Sequence, residues 1–180
     1  MGIEYEARVL EINHDEIVSK LEKLGATKVF DAMQKRKVYD FNPVEPNRWI
    51  RLRTNGIKTT LTIKEVKEKT VDGTKELEIE VSDFDKTDEI LTALGYKHRT
   101  FQENYRDQYI LDGVEIDLDK WPRIPEYMEI EGKSTEEVLK ILDKLKINKD
   151  KVSTLDVDSI YKYYGIDNVC KIPELTFEEE

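Results

Sequence analysis

Three turn dipeptides restrict what this chain can fold into. Each lies between segments in which apolar and polar residues alternate, and they are Asn55-Gly56, Asp72-Gly73 and Asp112-Gly113. This pattern is the strongest local signal of a β-hairpin, because asparagine, aspartate and glycine readily adopt the positive φ of tight hairpin turns. The sequence therefore predicts an antiparallel sheet. Its strands are predicted at 2–11, 28–41, 48–54, 57–67, 74–82, 97–111, 114–120 and 126–132.

Four other segments have apolar residues at the spacing of a helix. Helices are therefore predicted at 14–24, 86–94, 135–145 and 154–164. A strand, a helix and three strands occur in this order twice. Glu4 and Glu76, at the start of equivalent strands, are 72 residues apart. Gly25 and Gly95, at the ends of equivalent helices, are 70 residues apart, which indicates an internal two-fold pseudo-repeat.

These elements predict an α+β fold. Eight antiparallel strands are expected to close into a barrel with helices packed outside, because closure removes the exposed edges of a sheet. Residues 1–172 are predicted to form a single domain, since no linker or change of composition interrupts them. Residues 173–180, PELTFEEE, have no periodicity and are predicted to be a frayed acidic tail.

The composition excludes several classes of protein. The chain has 29 Lys and Arg residues against 39 Asp and Glu residues, a net charge of -10, which disfavours wide contact with nucleic acids or anionic membranes. Its one cysteine, Cys170, excludes an internal disulfide. No apolar run approaches the roughly 20 residues of a membrane span, and no secretory signal opens the chain. A cytoplasmic protein without nucleic-acid or membrane partners is expected.

The charged residues of the predicted strands fall on one face. Alternate residues of a strand share a face, and this rule groups Glu4, Glu6 and Arg8; Arg51 and Arg53; Thr60, Thr62 and Lys64; Glu76, Glu78 and Glu80; Arg106 and Gln108; Glu115, Asp117 and Asp119; and Glu129 and Glu131. One interpretation is the solvated side of a half-buried sheet. We favour a charged interior, because carboxylates occupy whole strands and like charges two residues apart repel unless a counterion compensates.

Carboxylates and guanidinium groups together suit a particular class of ligand. Hard divalent cations such as Mg²⁺ or Mn²⁺ take carboxylate, water and phosphate oxygens as ligands. Arginine and lysine bind the remaining phosphate charge. A triphosphate needs both kinds of group, so the pattern indicates a small-molecule triphosphate bound with a divalent metal.

The charged residues also follow one another in a characteristic order. The order is Glu4-x-Glu6-x-Arg8, Arg51-x-Arg53, Lys64, Glu76-x-Glu78, Arg106, Asp117-x-Asp119 and Glu129-x-Glu131. It resembles that of the CYTH superfamily, also called triphosphate tunnel metalloenzymes, over the segment from Ile3 to about Gly132. This superfamily includes class IV adenylyl cyclases, thiamine triphosphatases, inorganic triphosphatases and fungal-type RNA triphosphatases.

The resemblance implies an eight-stranded tunnel that binds a triphosphate with Mg²⁺ or Mn²⁺. The metal ligands that it implies are Glu4, Glu6, Asp117, Asp119, Glu129 and Glu131. The implied triphosphate ligands are Arg8, Arg51, Arg53, Lys64 and Arg106, with Arg36 added although the pattern leaves its face open. The implied catalytic residues are Glu78, Lys64 and Arg106, and Glu76 would help Glu78 to orient basic groups or a metal-bound water. The family has lysine where Arg8 stands, and an arginine cannot act as a general base there.

Three functions are consistent with such a site. The first is metal-dependent hydrolysis of inorganic triphosphate or a nucleoside triphosphate, which we favour because no segment indicates an adenine pocket. The second is conversion of ATP to cyclic AMP and pyrophosphate, as in class IV adenylyl cyclases. The third is a non-catalytic module that binds polyphosphate or nucleotides. The sequence leaves the particular triphosphate and a homodimeric state open.

Overall fold

The computed structural model describes residues 5–66 and 74–177. The strands are β1 (Tyr5–Val9), β2 (Thr27–Asp40), β3 (Arg48–Thr54), β4 (Thr59–Val66), β5 (Thr74–Val81), β6 (His98–Leu111), β7 (Val114–Lys120), β8 (Tyr127–Gly132), β9 (Val152–Ser153) and β10 (Glu174–Leu175). The helices are α1 (His14–Lys23), α2 (Phe84–Ala93), α3 (Thr135–Lys144) and α4 (Val157–Tyr163). The first eight strands and all four helices were predicted.

The helices begin where a side chain satisfies the free backbone N–H groups of the first turn. The four capping residues are Asn13, Asp83, Ser134 and Asp156. Asp156 accepts a hydrogen bond from the N–H of Ser159 at 2.8 Å, so α4 begins three residues later than predicted. No helix in the described part of the chain is long and apolar enough to cross a membrane.

Two of the three predicted hairpin turns lie in described residues, and both are formed. Between β3 and β4, the N–H of Asn55 donates to the carbonyl oxygen of Lys58 at 3.1 Å. Between β6 and β7, Asp112 and Gly113 have φ of 53° and 81°, the positive values that a type I′ turn needs. The third dipeptide, Asp72-Gly73, lies outside the described residues, although β4 and β5 on either side of it pair antiparallel.

The element order repeats as predicted. The first half runs β1-α1-β2-β3-β4 and the second runs β5-α2-β6-β7-β8. The equivalent helices also end alike, because Gly25 and Gly95 follow them with positive φ. Residues Ala26 and Tyr96 then donate backbone hydrogen bonds of 3.0 Å back into the last helical turn.

Two compact units make up the chain, and the first contains residues 5–32 and 105–165. Its strands are hydrogen-bonded in the order β6-β7-β8-β1-β9, all antiparallel. The helices α1 and α3 contribute buried Leu21 and Ile141 to one apolar core with Ile116, Met128 and Ile130 of the strands. One sheet face is therefore apolar and covered, and the alternate side chains point to the other face.

The second unit contains residues 33–104 and 166–177. Its strands are hydrogen-bonded in the order β2-β3-β4-β5, all antiparallel, and β10 pairs in parallel with the beginning of β6. Its core contains Tyr39, Ile50 and Leu52 of the strands and Leu91 of α2. Leu175 of β10, in the segment predicted as a tail, is fully buried.

The fold is mixed α+β with an almost wholly antiparallel sheet, as predicted. The eight-stranded barrel is not confirmed. Within residues 5–66 and 74–177 the sheet has ten strands, and their hydrogen-bonded order begins with β5 and ends with β9. Residue alternation determines which face a side chain takes, whereas closure depends on how far the strands twist and coil.

Candidate functional site

The first unit has a charged sheet face, here called the carboxylate face. It consists of Glu6, Arg8, Arg106, Gln108, Glu115, Asp117, Asp119, Tyr127, Glu129 and Glu131. Residues directly opposite each other in an antiparallel pair point to the same side. The register thus aligns Gln108, Asp117, Glu129 and Arg8 in one row across β6, β7, β8 and β1. The predicted charged face of these four strands is therefore present.

Arg106 is the central cation of the carboxylate face. Its Nε and one terminal nitrogen donate to the two oxygens of Asp119 at 2.8 and 2.6 Å. The other terminal nitrogen pairs with Asp117, and a weaker contact of 3.8 Å reaches Glu129. Burial lowers the pKa of Arg106, but the charges of Asp119 and Asp117 outweigh this and raise it. The predicted phosphate ligand thus serves as the counterion of three predicted metal ligands.

Arg8 is the second cation of this face and is 6% exposed. It binds both oxygens of Glu6 at 3.1 and 3.0 Å and one oxygen of Glu129 at 2.8 Å. Its guanidinium also donates to the carbonyl oxygen of Leu155 at 2.9 Å. The planar guanidinium of Arg8 has two terminal nitrogens, so it binds two carboxylates and a backbone carbonyl at once. A lysine would offer a single nitrogen for these contacts.

Two carboxylates of this face are poorly compensated. Asp117 is 4% exposed, and burial, with the added charge of Asp119, raises its pKa from 3.8 to about 7. Arg106 opposes this rise but is shared with Asp119. Burial and the neighbouring Glu6 also raise the pKa of Glu129. The face therefore holds more negative charge than its two arginines neutralise.

The raised pKa of Asp117 predicts a pH-dependent stability. Between about pH 4 and pH 7 the folded protein holds a proton on Asp117 that the unfolded chain has lost, so the free energy of unfolding falls across this range. The variant Asp117→Asn cannot become charged, and we expect it to be more stable than the wild type at pH 8 by on the order of 3 kcal/mol. At pH 5 the difference should be small. Urea unfolding at both pH values measures this, and a difference that does not change with pH contradicts it.

The second unit has its own charged face, here called the basic face. It consists of Arg36, Arg51, Arg53, Thr60, Thr62, Lys64, Glu76, Glu78 and Glu80. Arg51 lies 3.6 Å from Glu78, and the hydroxyl of Thr62 donates to the same carboxylate at 2.7 Å. Lys64 pairs with Glu76. The predicted phosphate ligands and the predicted orienting glutamates are thus neighbours.

The face of Arg36, which the sequence left open, is resolved by strand pairing. Arg36 lies directly opposite Arg53, so both side chains point to the basic face. Its guanidinium donates to Gln34 at 3.2 Å and to the fully buried Asn104. The adjacent Lys37 points to the other face, where it pairs with Asp88 of α2.

The pKa values of Lys64 and Glu78 are shifted by the cations that lie close together on the basic face. Burial, followed by the charges of Arg51 and Arg53, lowers the pKa of Lys64. Burial alone would raise the pKa of Glu78, but the hydrogen bond from Thr62 and the two arginines lower it. Glu78 is therefore a carboxylate at neutral pH, and an anion that replaced it beside these cations would be favoured electrostatically.

Tyr127 belongs to the site although the sequence did not predict it there. It is directly opposite Asp119 and therefore points to the carboxylate face. Burial, with the charges of Asp119 and Glu129, raises the pKa of Tyr127 well above its ordinary value. The signal was available, because Tyr127 precedes Glu129 by two residues and must share its face. Thr62 and Gln108 were placed on the charged face but given no role, and both bind site carboxylates.

A second polar cluster, also not predicted, lies on the other face of the first unit. The buried Asp107 accepts a hydrogen bond of 3.0 Å from Lys28, which also binds Asp31 at 2.5 Å. His14 at the start of α1 lies 3.4 Å from Asp107 and 3.1 Å from Glu126. These side chains contact one another within the cluster, which connects α1, β2 and β6.

The suitability of the carboxylate face for a metal ion depends on the donor atoms that it offers. Among residues 5–66 and 74–177, no group of three His, Cys, Asp or Glu residues is arranged to hold a metal ion. Glu4, a predicted ligand, lies outside the described residues. The donor chemistry nevertheless fits, because Asp117, Asp119 and Glu129 supply buried carboxylate oxygens, which hard divalent cations prefer. The two arginines are the counterions of these oxygens in this structure.

The family of the chain follows from its sequence. Residues 3–164 match the family model of the CYTH domain, so the chain belongs to the CYTH family, as its charged residues predicted. No curated protein sequence matches it.

Solved structures show the same fold. The PH1012 protein from Pyrococcus horikoshii is 25% identical with a TM-score of 0.67, over 93% of this chain and 100% of that one. A candidate adenylate cyclase from Vibrio parahaemolyticus is 13% identical with a TM-score of 0.73, over 89% and 98% of the two chains. The candidate adenylyl cyclase HpAC1 from Hippeastrum, which has a dominant triphosphatase activity, is 15% identical with a TM-score of 0.60, over 91% and 96%.

Proposed function

We propose that this protein is a divalent-metal-dependent hydrolase of triphosphate substrates, either inorganic triphosphate or a nucleoside triphosphate. Membership of the CYTH family supports a triphosphatase or an adenylyl cyclase as the class of enzyme. The observation that carries the proposal is the basic face, where Arg51, Arg53 and Lys64 occupy adjacent positions of two paired strands. A compact polyanion is the ligand that such a group of cations favours. The eight-stranded tunnel implied by the resemblance is part of this proposal.

The basic face would bind the phosphate oxygens. Arg51 is only 14% exposed in its side chain, so a phosphate beside it is shielded from water and gains more from the charge than it would at the surface. Lys64 lies on the adjacent strand and adds a second positive charge. Glu78, a carboxylate of lowered pKa, is a weak base and would orient Arg51 and the attacking water rather than remove a proton completely.

The carboxylate face would hold the metal. Mg²⁺ or Mn²⁺, when bound, polarises phosphate oxygens and offsets the charge that develops on the leaving phosphate. The residues that would hold it are Glu4, Glu6, Asp117, Asp119, Glu129 and Glu131. Arg106 would orient the neighbouring carboxylates and would contact the substrate. In the reaction a water oxygen bonds to the terminal phosphorus, which becomes orthophosphate, and the bond from that phosphorus to the bridging oxygen breaks. The bridging oxygen keeps the electron pair and leaves as part of pyrophosphate or of the nucleoside diphosphate, and the proton lost by the water passes to solvent.

Cyclisation of ATP is the second candidate. The candidate adenylate cyclase from Vibrio parahaemolyticus has this fold, but the low identity supports the fold alone. The same holds for HpAC1, in which triphosphatase activity is dominant. Hydrolysis remains the first choice because no segment of the sequence indicates an adenine pocket.

The test is a comparison of substrates and products. The protein is incubated with inorganic triphosphate and with ATP, each with Mg²⁺ or Mn²⁺, and orthophosphate, pyrophosphate and cyclic AMP are separated. We expect orthophosphate from at least one substrate and none when the metal is chelated. Cyclic AMP with pyrophosphate would instead establish the cyclase, and binding without turnover would establish a non-catalytic module.

A further inference from the structure

The hydroxyl group of Tyr127 is buried without a partner. Tyr127 is 1% exposed, and its hydroxyl oxygen makes no hydrogen bond to the described part of the chain. A hydroxyl left in this condition costs free energy, so buried polar groups in native proteins almost always have a partner. Tyr127 lies on the carboxylate face, directly opposite Asp119, so the hydroxyl without a partner belongs to the candidate site and not to an arbitrary place in the core.

The carboxylates beside Tyr127 are bound by arginines and not by its hydroxyl. Both oxygens of Asp119 accept hydrogen bonds from Arg106, at 2.8 and 2.6 Å. Glu129 is bound by Arg8 at 2.8 Å and approached by Arg106 at 3.8 Å. The arginines thus hold these carboxylates in place, and neither carboxylate accepts a hydrogen bond from the hydroxyl of Tyr127. The phenol remains a hydrogen-bond donor, since an ordinary tyrosine keeps its proton at neutral pH.

We propose that Tyr127 is a substrate-binding residue that donates a hydrogen bond to a non-bridging phosphate oxygen of the triphosphate. This inference rests on the proposed function. A phosphate oxygen is a strong acceptor, and Arg106, Asp119 and Tyr127 lie in one row across β6, β7 and β8, so the acceptor would approach a cation as well as the hydroxyl. The bound ligand would then satisfy the hydroxyl that the free protein leaves without an acceptor.

The variant Tyr127→Phe tests this, with binding of inorganic triphosphate measured by calorimetry with and without Mg²⁺. Loss of one hydrogen bond to a charged acceptor should weaken triphosphate binding by about 10- to 100-fold. The melting temperature of the free variant should be equal to that of the wild type or higher, because the variant removes a hydroxyl that has no partner.

The matched control is Tyr161→Phe. Tyr161 is also fully buried, but its hydroxyl donates to the carbonyl oxygen of Pro122 at 2.8 Å. This control should lower the melting temperature and leave triphosphate binding unchanged, the opposite of the result for Tyr127→Phe.

Three results would overturn the inference. Unchanged triphosphate binding by Tyr127→Phe would remove Tyr127 from the site and leave the proposed function intact. A fall in its melting temperature as large as that of Tyr161→Phe would show that the hydroxyl has a partner in the protein. Failure of the wild type to bind triphosphate would overturn both this inference and the proposed function.

Discussion

Replacement of Arg106 by alanine should lower the free energy of unfolding at pH 7.5 by about 3–5 kcal/mol, because it leaves buried carboxylates without their counterion. Asp119 is completely buried and Asp117 is 5% exposed in its side chain, so water cannot take the place of the guanidinium. The loss should be smaller at pH 5, where the pKa of Asp117, already about 7, lets this carboxyl hold a proton. Urea unfolding at both pH values measures the effect.

The control for this variant is Arg99→Ala on the same strand. Arg99 binds Asp40 at 2.5 Å, but the two side chains are 35% and 31% exposed. Ion pairs that water reaches contribute about 0–1 kcal/mol, so the control should lose little. Equal losses in the two variants would show that the carboxylates of the first unit do not depend on Arg106.

Replacement of Arg51 by alanine should reduce the affinity for inorganic triphosphate by about 100-fold, the value of a buried, charge-assisted contact to phosphate. The fold should be retained, because Glu78 keeps its hydrogen bond of 2.7 Å from Thr62 and is partly exposed. Calorimetry gives the affinity, and circular dichroism and thermal melting report the fold.

A matched cation is available as the control. Lys58 lies 3.6 Å from Glu80, the same distance that separates Arg51 from Glu78. The side chains of Lys58 and Glu80 are 54% and 67% exposed, so water and salt screen the pair. Lys58→Ala should change the affinity less than about 2-fold. A similar loss in both variants would mean that general positive charge, rather than the basic face, attracts the ligand.

Much of the two charged faces could be predicted from the sequence, because the pleat of a strand has a strict period of two. That period alone places Asp117 with Asp119, and Arg51 with Arg53. The turn at Asp112-Gly113 then determined the β6–β7 register, which brings Arg106 opposite Asp119.

Other features do not follow from local patterns. Arg36 stands between two lysines, so only its pairing with Arg53 determines its face. The hydrogen bond from Arg8 to Leu155 joins residues 147 positions apart and depends on how the chain returns to β1. The strands β9 and β10 have two residues each, which is too short for an alternation to be seen.

The glutamates of the basic face have a consequence for how a ligand would leave. Glu76 and Glu78 already occupy positions beside Lys64 and Arg51, so an incoming anion must compete with tethered anions. Because these carboxylates compete for the same cations, they should shorten the residence time of an anion of low charge more than that of an anion of high charge. Orthophosphate would thus be expelled readily while a longer phosphate chain is retained.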